Sequence, residues 1–98
     1  MKIVYLKQAR KDLQWWNYYY YKTFPEGQIS AYRKFKSIII LLSENPFAAP
    51  PVDGTDLRRF AIPRTPFVVV YRVQESELEI AHVWDMRSQR PKNKIEEF

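Results

Sequence analysis

Arg58, Arg59, Arg64, Arg72, Arg87 and Arg90 crowd the C-terminal half of this 98-residue sequence, and no lysine falls among them. Arginine presents a planar fork of donors that grips a phosphate or carboxylate at two points, whereas lysine is only a point charge. As a group, these side chains imply an anion-binding surface or a dock for an acidic partner. Taken singly, each has a plainer reading: solvation, or pairing with Glu75, Glu77, Glu79 or Asp85. Arg58 and Arg59 are neighbours, so in a strand they point to opposite faces and only one can serve a given site. The formal net charge of +5 agrees with an anionic partner.

His82 is the only histidine, and there is no cysteine. This excludes thiolate chemistry and disulfides and leaves no ligand set for a metal. With Gly27 and Gly54 the only glycines, no phosphate-cradling loop exists. No cofactor is expected. His82 has two readings: a hydrogen-bonded core residue, or a group for proton transfer or base stacking on an open face.

A second concentration of side chains lies near the N-terminus, at Trp15, Trp16, Tyr18, Tyr19, Tyr20 and Tyr21. Half of a helix turns away from the core, so some of these rings must reach the surface. Exposed aromatics mark protein interfaces. Trp16 and Tyr20 are expected inside, with Trp15, Tyr18 and Tyr19 available to a partner.

The elements that position these groups follow from periodicity. Lys2 to Leu6 reads as a short strand. Ala9, Leu13, Trp16 and Tyr20 recur at helical spacing, which predicts a helix over 8–21. Thr23 and Glu26 have the form of a capping box for a second helix, with Pro25 in its first turn. That helix runs to about Ser43 on an apolar face of Ala31, Phe35, Ile38, Ile39 and Leu42, and Asn45-Pro46 stops it. The pair should form a hairpin.

Beyond a proline-bearing loop, 57–62, 67–73 and 77–84 read as strands with short turns between them. In the last, Leu78, Ile80, His82 and Trp84 alternate onto one side. The expected fold is α+β, in the order β-α-α-β-β-β. A helix hairpin packs on one face of a small, mainly antiparallel sheet. The other face is expected to stay open and dock a partner. Residues 1–91 should form one domain, with 92–98 a polar tail.

A hydrophobic share of 46% is enough for a single core at this length. The longest apolar run, Ile38 to Leu42, is too short to span a bilayer, and the N-terminal stretch lacks the long apolar segment of a signal peptide. A cytoplasmic protein without membrane partners is the expectation.

The segment from Leu57 to Pro91 resembles the RelE/ParE toxin superfamily, in particular its ParE-like plasmid-stabilisation branch. The resemblance rests on Arg58-Arg59, Arg64-Thr65-Pro66-Phe67, Tyr71-Arg72-Val73, the acidic turn from Glu75 to Glu77, and the run from Val83 to Pro91. Ala9, Asp12-Leu13 and Asn45-Pro46 extend it more loosely through the first half. It implies a type II toxin neutralised by a cognate antitoxin.

Two activities are known in such proteins: inhibition of DNA gyrase, and cleavage of mRNA on the ribosome. A ribonuclease must activate a 2′-hydroxyl and stabilise a pentavalent phosphate, which calls for acid–base groups and positive charge together. RelE-like enzymes place an arginine just after the aromatic that opens the central strand, and Val68 stands there. The tyrosine or histidine expected after Arg87 is missing too. The resemblance therefore implies target binding, with Arg59, Arg64, Arg72, Trp84, Arg87 and Arg90 as the contact set. Under the nuclease alternative Arg87, Arg72 and His82 would be catalytic. A degenerate member that only binds its antitoxin is the third alternative.

Overall fold

The computed structural model describes residues 1–86; Arg87, Arg90, the domain boundary at 91 and the tail 92–98 lie outside the described residues. The elements are β1 (Lys2–Tyr5), α1 (Lys7–Thr23), a 3-10 turn (Pro25–Gly27), α2 (Gln28–Glu44), β2 (Leu57–Ala61), β3 (Phe67–Gln74) and β4 (Glu77–Asp85). The sheet order is β1-β4-β3-β2. β2, β3 and β4 form the antiparallel meander, and β1 joins β4 in parallel at one edge. The fold is thus α+β, with both helices packed on a four-stranded, mainly antiparallel sheet, as the sequence order requires.

The helices form on buried stripes. In α1 the stripe is Ala9, Asp12, Trp16 and Tyr20, and in α2 it is Ala31, Phe35, Ile39 and Leu42. Leu13 and Ile38 are only half-buried beside these stripes. Trp16 stacks on Phe67 of β3 with ring centroids 4.0 Å apart and meets Phe35 of α2 edge-on at 5.2 Å. One indole therefore joins both helices to the sheet. Truncating such a ring typically costs about 3–5 kcal/mol.

The junction between the helices differs from the expected capping box. The Phe24 N–H bonds back to the Tyr20 carbonyl, so Thr23 is the last residue of α1 and is not free to cap α2. α2 starts from Gly27 with no side-chain cap. The Phe24 ring lies directly over Gly27, where a Cβ would collide with it. Asn45 ends α2 at φ −135° and ψ 66°, outside the helical geometry that a following proline disfavours.

A β-bulge reshapes the sheet. Val70 pairs with His82 while Tyr71 pairs with Ile80, so Ala81 is an extra residue in β4. The bulge reverses the side-chain phase along the strand. Leu78, Ile80 and Val83 join the core beneath the helices. His82 and Trp84 turn the other way, opposite Val70 and Val68. The expected common side for Leu78, Ile80, His82 and Trp84 is thereby corrected.

The face away from the helices is not open as expected. Leu57, Val68, Val70 and Ala81 are buried there, with Leu6, Val52 and Trp84 packed against them. Part of the cause is the segment 50–52, which folds along β2. Pro51 bridges to Arg58, the Val52 N–H donates to Leu57 O, and the Arg59 N–H donates to Pro50 O. This cover also blocks part of the outer edge of β2.

Candidate functional site

The arginines separate into structural and unengaged ones. Arg58 shares the helix-side face with its β3 partner Tyr71. Its Nη1 donates to Ala49 O at 2.7 Å, and its guanidinium sits 4.9 Å from the Phe47 ring centre. It pins the α2–β2 loop to the sheet. Tyr71 assists, its hydroxyl donating to Pro46 O at 2.7 Å. Burial pushes the Tyr71 hydroxyl above its ordinary pKa; a backbone contact at Ala49 and the Arg58 charge pull less strongly the other way.

Arg72 is half-buried on the opposite face. Its Nε donates to Glu79 Oε1 at 2.5 Å, and its Nη1 lies 3.5 Å from Asp56 Oδ2. Cross-strand opposition of Arg72 and Glu79 places the pair by register alone. Arg72 thus ties the β2 end of the loop to β3 and β4.

Arg59 and Arg64 are exposed. Arg59 projects from the face away from the helices, and its Nη2 donates to the sulfur of Met86 at 3.8 Å. Arg64 occupies the turn between β2 and β3, with φ +63°. The Thr65 N–H bonds to Ile62 O, closing a β-turn with Pro63 and Arg64 at its centre. The third position of such a turn favours glycine or asparagine. Holding an arginine there costs about 1–2 kcal/mol. The Thr65 hydroxyl donates to Ile62 O and accepts from the Phe67 N–H, which stiffens the turn.

His82 is buried, its Nδ1 3.9 Å from Asp12 Oδ2 and its ring 5.1 Å from that of Trp84. The core reading of His82 is the one the burial favours. Trp84 is half-buried against the smaller apolar cluster. Asp12 escaped sequence reasoning as a site residue, although it is 1% exposed. Its Oδ2 accepts the Val83 N–H at 2.9 Å, and its Oδ1 accepts from Gln8 at 3.0 Å. β1 stops pairing at the Leu6 N–H to Ile80 O bond. Beyond that point Asp12 takes over the free edge of β4.

The aromatic run of α1 divides by face. Tyr18 is 54% exposed and lies 6.0 Å from Trp15, which is half-buried. Tyr19 turns inward, edge-on to Phe67 and to Tyr20. Between the helices runs a cleft of about 190 Å³ lined by Tyr5, Leu13, Trp16, Asn17, Tyr32, Phe35 and Lys36. A shallower groove continues it past Ile29 and Arg33. Burial, with Tyr32 adding, raises the Tyr5 hydroxyl above its ordinary pKa. The sequence signal for this cleft was a second stripe on α2. Ile29, Tyr32, Lys36 and Ile40 share a face and are exposed.

Among the described residues no group of histidine, cysteine and carboxylate side chains is placed to hold a metal. No helix among them is long and apolar enough to cross a membrane.

The sequence pattern of a family described as "ParE toxin of type II toxin-antitoxin system, parDE" matches residues 3–90. A search of curated protein sequences finds no match. Among solved structures, one described as "Chromosomal ParDE TA system from P. aeruginosa" superposes with a TM-score of 0.70 at 23% identity, over 85% of this chain and 92% of that one.

Proposed function

The chain belongs to the ParE toxin family of type II toxin–antitoxin systems, and from that premise we propose that it arrests growth by binding DNA gyrase without chemistry of its own. The observation that carries this reading is the fate of the groups a ribonuclease would need. His82 is buried, Arg72 is committed to Glu79 and Asp56, and Val68 lies buried where an arginine would stand. Arg59 and Arg64 remain exposed for target contact, Trp84 is half-buried in β4, and Arg87 and Arg90 follow in sequence.

A cognate antitoxin is proposed to occupy the cleft between α1 and α2. The cleft is apolar at its floor, and Lys36 and Arg33 stand at its rim. An amphipathic segment with acidic flanks matches both features. Trp15 and Tyr18 extend the contact along α1.

The test is induction of the chain alone in a bacterial host, followed by a supercoiling assay on purified protein. Growth arrest with inhibited supercoiling is expected. Growth arrest with codon-biased mRNA cuts that vanish in Arg87→Ala would replace the gyrase reading with a ribonuclease. Unimpaired growth under strong induction would sink the toxin reading for this chain.

A further inference from the structure

Arg64 sits where its turn would be better served by glycine, and the rest of the turn is built to hold it there. Pro63 and Pro66 restrict the backbone on both sides, and Thr65 locks the turn from within. A non-glycine residue kept at positive φ in a stiffened turn points to use of its side chain. Glu75 also has positive φ, in the two-residue β3–β4 turn, but no proline flanks it.

A second unengaged arginine shares the corner. The Met86 N–H donates to Pro66 O at 2.8 Å, and the Met86 sulfur lies 3.8 Å from Arg59 Nη2. Met86 therefore joins the Arg64 turn to the Arg59 side chain. Among the described residues neither guanidinium has a carboxylate within ion-pair distance. Asp85, opposite Phe67 in β4, is buried, and Asp56 lies 3.5 Å from Arg72.

We propose that Arg59 and Arg64 form an anion-binding corner that takes the phosphodiester backbone of a nucleic acid. Guanidinium forks match phosphate oxygens in pairs. An acidic protein would carry the same charge, but a protein interface needs an apolar centre. The exposed apolar residues around this corner, Pro63, Met86 and, beside Arg59, Pro50, Pro51 and Ala61, include none of the aromatic anchors that centre such an interface. A convex tip bearing one arginine suits a groove between phosphates, and the formal charge of +5 draws a polyanion to it. The inference rests on the toxin reading for its biological meaning: it places nucleic acid at the target surface, as in a target that is itself bound to DNA.

The experiment measures fluorescence anisotropy of a short labelled DNA duplex titrated with the full chain at several salt concentrations. Arg64→Gly, Arg64→Lys and Arg59→Gln are compared with the unsubstituted protein. Arg64→Gly and Arg59→Gln should each weaken binding about tenfold. Each should also flatten the logarithmic salt dependence, by about 0.9 for every phosphate no longer neutralised. Arg64→Lys should keep most of the affinity. The thermal midpoint of Arg64→Gly should stand at or above that of the parent, which separates weaker phosphate binding from a failure to fold.

Binding unchanged in both Arg64→Gly and Arg59→Gln overturns the proposal. So does displacement of the duplex by polyglutamate at equal charge concentration, which would assign the corner to an acidic protein. Growth arrest on induction is scored separately. Its absence while DNA binding behaves as expected removes the toxin reading and leaves the corner intact. Its presence with DNA binding indifferent to Arg64→Gly removes the corner and leaves the toxin reading.

Discussion

The carboxylate of Asp12 in α1 accepts the backbone N–H of Val83 in β4 at 2.9 Å, across 71 positions of sequence. It does so where β1 has ended, so a side chain substitutes for a missing strand. Asp12→Ala leaves a buried N–H without an acceptor and should cost about 1–3 kcal/mol. Asp12→Asn retains a carbonyl oxygen at the same place and should cost less. Urea denaturation of the two variants checks the order; equal losses would show that the charge matters more than the hydrogen bond.

Adjacent arginines should part company under mutation. Arg58→Ala removes the Ala49 hydrogen bond and the packing over Phe47, and should lower stability by about 1–2 kcal/mol. Arg59→Ala should stay within about 0.5 kcal/mol of the parent, as expected at an exposed site. Growth arrest should show the reverse pattern, with Arg59→Ala impaired even though it folds. Thermal denaturation beside a plating assay reads both properties.

Tyr71 gives the alkaline limb of stability. Burial raises its folded pKa above the unfolded value near 10. The neutral form is therefore favoured by folding. That contribution is fully present below the unfolded pKa and is lost as pH rises through the folded one. Tyr71→Phe should be about 1 kcal/mol less stable at neutral pH, because the bond to Pro46 O is gone. Its deficit should shrink above about pH 10. A deficit that stays constant across the alkaline range would remove Tyr71 as the titrating group.

Antitoxin binding should separate Tyr18 from Tyr19. Tyr18→Ser removes an exposed ring and should weaken the complex with little change in folding. Tyr19→Ser should destabilise the fold, because the native ring packs edge-on against Phe67 and Tyr20. Lys36→Glu at the cleft rim should weaken the complex further and reduce its salt sensitivity. Calorimetry of the variants against the antitoxin, at low and high salt, decides whether charge or apolar contact dominates.

Most of the fold was legible because its elements carry clean periods. The stripes of α1 and α2 and the β-branched run of β3 have few alternative readings. What escaped was the consequence of single residues. Ala81 looks like any small strand residue, yet as a bulge it inverts the facing of His82 and Trp84. Asp12 is polar and one position from Leu13, so periodicity favoured the leucine. Its burial depends on a strand that ends early elsewhere in the chain. Thr23 fitted a capping motif, but a backbone bond from Phe24 to Tyr20 carried α1 past it.

The candidate site was legible only in kind. Composition pointed to arginine as the working side chain, but it could not sort Arg58 and Arg72, which hold loops, from Arg59 and Arg64, which are exposed and pair with no carboxylate among the described residues. That sorting depends on which carbonyls and carboxylates the fold brings within reach.

The parallel pairing of β1 with β4 bears on when the protein becomes dangerous. Lys2 through Tyr5 find their partners at Glu77 through Ile80, so β1 leaves the ribosome well before the strand it pairs with. Closing a loop of that span is the slowest kind of contact to form. A nascent or truncated chain lacks the β4 edge and cannot complete the sheet. The cell therefore has the time of synthesis between β1 and β4, at about 5–20 residues per second, before the sheet can close. An antitoxin already present can meet the chain as it closes.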